Sequence, residues 1–107
     1  MDRIAQLQVM IERFPKDAFS RHALAMEWIK LGKELEAKHV MKELLEKFPE
    51  YTGTYYHLAK LLERMGENQE ALATYESGIE MAKQVQANHD RVELMGAYEL
   101  LKDNMDL

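Results

Sequence analysis

At 107 residues, with 47% hydrophobic and 31% charged side chains, the chain has the composition of one small folded domain and not of a disordered segment. A net charge of −5 with no run of Lys or Arg argues against a nucleic-acid partner, and the absence of cysteine excludes disulfides, thiolate nucleophiles and thiolate metal sites. The stretch from Met1 to Gln8 has no apolar leader, and no apolar run approaches the ~20 residues that span a bilayer, so the expectation is a cytoplasmic protein with no membrane partner.

Along the chain the hydrophobic period is helical throughout. Ile4, Leu7, Met10 and Phe14 recur at steps of three or four and predict a first amphipathic helix, closed by Phe14-Pro15. Asp17 is a candidate N-cap for a second helix running to about Leu31 and stopping at Gly32-Lys33. A third is expected from about Leu35 to Lys47, closed by Phe48-Pro49. Thr52 is read as the cap of a fourth helix reaching Met65, with Gly66 as its stop, and a fifth runs from about Asn68 to Val85. Asp90 to Glu93 reads as a variant capping box opening a sixth helix to about Lys102. No strand pattern or linker is apparent, so the fold class is all-α.

Several of these signals recur after 34 residues: Pro15 and Pro49, Leu24-Ala25 and Leu58-Ala59, Gly32 and Gly66, Glu36-Ala37 and Glu70-Ala71. A fixed period marks a repeat architecture, in which each unit buries its apolar face by stacking on a neighbour. Small residues at Ala25, Ala37, Ala59 and Ala71 allow close helix approach, with Leu24, Trp28, Met41 and Tyr75 expected to fill the space around them.

These positions carry a family resemblance. Arg21-x2-Leu24-Ala25-x2-Trp28, Tyr55-x2-Leu58-Ala59-x2-Leu62, the turn glycines Gly32 and Gly66, Ala37-x3-Met41, Ala71-x3-Tyr75 and Pro49 resemble the tetratricopeptide repeat. The resemblance implies antiparallel helix–turn–helix units in a right-handed superhelical stack of about six helices. It divides a single domain, 1–107, into a half repeat at 3–15, full repeats at 18–51 and 52–85, and a C-terminal capping helix at 88–103. Departures from the pattern are Arg21 where a large aromatic is usual, and Leu44 opposite Gly78 at a late small position. The fifth helix also lacks a closing proline and should run long.

The resemblance also implies a concave groove lined by the first helix of each repeat. Its positions here are Phe19, His22, Met26, Ile29 and Lys30, then Tyr56, His57, Lys60, Glu63 and Arg64. Phe19, Met26 and Tyr56 are adaptable anchors for a peptide, and Lys30, Lys60 and Arg64 favour an acidic one. The competing reading makes these ordinary solvated faces, with the sixth helix folded back into the groove. The Lys, Asn and Arg set with which some family members grip a chaperone's terminal carboxylate is missing: His22, Met26, His57, Ala87 and Asp90 stand in its place.

The four histidines, His22, His39, His57 and His89, never fall at the spacing of a helical metal site, and no phosphate loop or nucleophile elbow occurs. No enzyme activity, metal or cofactor is therefore expected. On the sixth helix, Leu94, Tyr98, Leu101 and Met105 form the stripe a cap needs, while Val92, Gly96 and Leu100 form a second line that is a candidate oligomer face. The expected function is non-catalytic protein binding, as an adaptor, scaffold or assembly factor with an unidentified protein or peptide partner. The alternative is self-association through the end helices as a homo-oligomer, a structural or accessory subunit with no groove ligand.

Overall fold

A computed structural model describes residues 2–107, and among them six α-helices and no strand. The helices are α1 (Arg3–Arg13), α2 (Ala18–Lys30), α3 (Glu34–Lys47), α4 (Gly53–Arg64), α5 (Asn68–Gln84) and α6 (Asn88–Asn104). They fall into two compact units, 1–48 with α1 to α3 and 49–107 with α4 to α6. Within the first, α2 packs on α3 and on α1; within the second, α5 packs on both α4 and α6.

Local chemistry sets the boundaries. Asp2 accepts a hydrogen bond from the Ala5 N–H at 2.8 Å, and Asp17 accepts from the Phe19 N–H at 3.1 Å and the Ser20 hydroxyl at 2.7 Å. Each satisfies a donor that the first helical turn leaves unpaired. The helix-closing turns need positive φ, supplied by Gly32 (73°) and Gly66 (77°). There the Lys33 N–H returns to the Trp28 carbonyl and the Glu67 N–H to that of Leu62, each at 2.8 Å. This is the six-to-one bond of a Schellman stop. At the end of α5, Gln86 takes the same conformation (φ 61°) without being glycine, and the Ala87 N–H reaches the Ala82 carbonyl at 2.8 Å. With no proline to stop it, α5 extends to 17 residues against 14 for α3.

Two expected caps are not formed. Thr52 precedes α4 with helical φ and ψ, and its side chain makes no capping bond. Its hydroxyl instead lies 2.6 Å from the Asp90 carboxylate. Asp90 in turn is the third residue of α6, which begins at Asn88 behind Ala87, so the expected capping box does not open that helix. A partner distant in sequence outcompetes the local backbone for both side chains.

The four alanines lie fully buried, as do Met41, Leu44, Leu61, Leu62 and Tyr75. Trp28 is only half-buried, so it fills less of the core than its size promised. Gly78 on α5 marks the tightest approach: a Cβ built there would stand 2.6 Å from Tyr55 Cβ on α4 and 3.0 Å from Leu94 Cδ1 on α6. Such distances are far inside van der Waals contact, so only glycine lets both neighbours seat on α5. The stripe foreseen on α6 does face inward, with Leu94 and Leu101 buried and Tyr98 bonded to Glu76 of α5 at 3.0 Å.

Candidate protein-binding surface

In the first unit the relevant side chains stand on α2. Phe19, in its first turn, is 61% exposed, a large apolar ring with no core role. His22, Met26 and Ile29 are half-buried, and Lys30 is exposed in the last turn. Lys33, also exposed, follows in the turn to α3.

In the second unit they stand on α4. Tyr56 is half-buried, and its ring meets the His57 imidazole edge-on at 5.8 Å between centroids. Desolvation draws the His57 pKa below its ordinary value, and the cationic Arg64 adds to this, while Glu93 of α6 opposes it. His57 thus leans toward the neutral form in which one nitrogen accepts and the other donates. Lys60 and Arg64 lie three and seven residues beyond His57, which aligns all three along one side of the helix.

Glu63 has a different occupation. Its carboxylate accepts the hydroxyl of Tyr75, a fully buried side chain of α5, and lies 3.8 Å from Lys60 Nζ. Burial, followed by the adjacent carboxylate, raises the Tyr75 pKa well above the ordinary 10.0, so the hydroxyl stays a donor. Glu63 holds α4 to α5 and pairs with Lys60. The sequence carried half of this signal: a tyrosine at a core position needs an acceptor, but nothing marked Glu63 as that acceptor. The Thr52–Asp90 bond had no such signal, because neither residue announces a distant partner.

On α6 the second line emerges at the surface. Val92 and Leu100 are exposed, and a Cβ on Gly96 would meet nothing within 4 Å. Among the described residues no group of three His, Asp or Glu side chains could hold a metal ion, and no helix is long and apolar enough to cross a membrane.

Helix–turn–helix pairs on a 34-residue period define an all-α repeat protein, built to present side chains along helices. The profile of the tetratricopeptide repeat family matches residues 29–91, more than half of the chain. The protein therefore belongs to the tetratricopeptide repeat family. Its fold is similar to two solved structures of tetratricopeptide repeat domain protein from Salinibacter ruber. The crystal structure is 40% identical with a TM-score of 0.77, over 81% of this chain and 97% of that one. The solution NMR structure is also 40% identical, with a TM-score of 0.80 over 83% of this chain and 90% of that one. No curated protein matches the chain. The fold is in general that of a protein-interaction module, typically a non-catalytic scaffold.

Proposed function

We propose that this protein is a non-catalytic adaptor whose first-helix faces bind peptides or helices, that of α2 through the ligand's apolar anchor and that of α4 through the ligand's acidic side chains. The observation that carries the reading is Phe19, a phenylalanine 61% exposed on α2, accompanied on that helix by half-buried Met26 and exposed Lys30. An aromatic ring held on a rigid helix offers contact area at little entropic cost on binding, and thioethers adapt to different partners. Lys60 and Arg64 on α4 supply cations on a chain whose overall charge is −5. They favour an acidic ligand chiefly through encounter rate and orientation.

An array of peptides of graded acidic and aromatic content tests this. The wild-type chain should retain aromatic members and acidic members over neutral polar ones. Phe19→Ala should weaken the aromatic members by roughly tenfold, about 1.4 kcal/mol. Lys60→Glu with Arg64→Glu should remove the preference for acidic members. Retention independent of all three changes would dispose of the proposal.

A further inference from the structure

Two helices present apolar lines that the core does not use, and they are of opposite kinds. By the 34-residue correspondence α1 is a second helix of a repeat: Leu7 answers to Met41, Met10 to Leu44 and Phe14 to Phe48. Leu7 is buried like Met41, yet Met10 is 39% exposed where Leu44 is fully buried. Phe14 is 58% exposed, whereas Phe48 is half-buried with the Arg21 guanidinium of α2 above its ring. What covers Phe48 within its unit is a first helix. The face of α1 that carries Met10 and Phe14 is therefore shaped for a first helix.

α6 has the opposite character. It follows a second helix, α5, and buries Leu94 and Leu101. Val92 and Leu100, 62% and 58% exposed, stand one turn to either side of Gly96, whose side-chain position is open, with nothing within 4 Å. A glycine on one helix can seat a large side chain of its neighbour, as Gly78 on the second helix α5 receives Tyr55 of the first helix α4; here the roles of first and second helix are exchanged.

Charge agrees with shape. Residues 2–16 carry Arg13, Lys16 and Arg3, the last paired with Glu27 of α2 at 3.7 Å, against Asp2 and Glu12, whereas α6 carries Asp90, Glu93, Glu99 and Asp103 against Arg91 and Lys102. Arg13 lies one turn beyond Val9 on the exposed side of α1, and Glu93, Glu99 and Asp103 are exposed beside the α6 line.

We infer that α1 of one copy of this chain docks on α6 of a second copy, with Met10 and Phe14 as knobs and the Val92–Gly96–Leu100 line as the hole. The contact is heterologous, because the two surfaces differ. It leaves one α1 and one α6 free in any dimer, so growth continues into a ring or a filament. Two single-helix faces make a small interface, at the low end of about 1,200 Å², and association is correspondingly weak.

Sedimentation velocity over a concentration series reaching the millimolar range is the test, on the full chain of 12.5 kDa. Wild type should rise in mass past the dimer, and added salt should reverse part of the rise. Phe14→Asp, which sets an acid against the acidic helix, should be monomeric alone. So should Leu100→Lys, which sets a base against Arg13. Mixed in equal amounts, the two variants should form a one-to-one dimer and nothing larger, since each supplies the face the other lost. That dimer also demonstrates that both variants are folded. A wild type that stays monomeric overturns the inference, as does a mixture that stays monomeric. Self-association lost in Leu100→Lys but kept in Phe14→Asp would instead show α6 pairing with α6, and the converse α1 with α1; either result overturns it.

Discussion

Residues 21 and 55 stand 34 apart at the same place on α2 and α4, one an arginine and the other a tyrosine. The Arg21 guanidinium donates to the Pro15 carbonyl at 3.1 Å; the Tyr55 hydroxyl donates to the Pro49 carbonyl at 2.7 Å. Two unlike side chains thus serve one backbone acceptor, itself repeated after 34 residues. Their surroundings have changed with them. Across from Tyr55 the second unit has Gly78, leaving room for the ring, while the equivalent residue of the first unit is Leu44. A second exchange runs beside the first: Met41 and Ile29 in one unit become Tyr75 and Glu63 in the other, an apolar pair replaced by a hydrogen-bonded one. What the repeat preserves is filled volume and satisfied polar atoms, and residue identity follows only where one residue type can meet the demand.

The largest test of this comparison is Gly78→Leu, which gives the second unit the first unit's residue. Although leucine propagates a helix better than glycine by up to ~1 kcal/mol, the clash with Tyr55 and Leu94 should dominate. We expect a loss of about 3 kcal/mol or more in urea unfolding, beyond the usual range for overpacking because the obstacle includes a Cβ. Adding Tyr55→Arg should recover part of it; an unimproved double variant would break the claim that the two positions vary together.

Next in size is Glu63→Ile. It strands the buried Tyr75 hydroxyl and should cost about 1–3 kcal/mol, whereas Glu63→Ile with Tyr75→Met, the first unit's own pair, should come back close to wild type. The same hydroxyl predicts a pH effect. Because the folded pKa of Tyr75 lies above the unfolded 10.0, the unfolded chain releases this proton first as pH rises. Its contribution is complete below pH 10.0 and is lost above it. Tyr75→Met with Glu63→Ile should flatten that alkaline decline in thermal melts.

The smallest effect separates the two donors. Tyr55→Phe should cost about 1 kcal/mol, one hydrogen bond with no offset. Arg21→Met loses the bond to Pro15, the 3.3 Å pair with half-exposed Glu43 and the guanidinium over the Phe48 ring, but it also removes a buried Nε that has no hydrogen-bond partner among the described residues. The gain and the loss should leave less than about 1 kcal/mol. An Arg21 variant much the worse of the two would show the guanidinium to be the stronger tie.

The sequence by itself determined the six helices, the boundaries of the first five to within one or two residues, and their family, because period, proline, glycine and Asp17 act through bonds a few residues long. The start of α6, read from Asp90, lies earlier, at Asn88. It also made legible which first-helix residues are candidates for binding. Only the tertiary structure decided the partners of Thr52, Glu63, Asp90 and His57, and which apolar residues of α1 and α6 stay at the surface. Those outcomes depend on contacts between helices far apart along the chain. A hydroxyl or carboxylate takes the acceptor or donor that packing brings nearest, and no local spacing records which one that is.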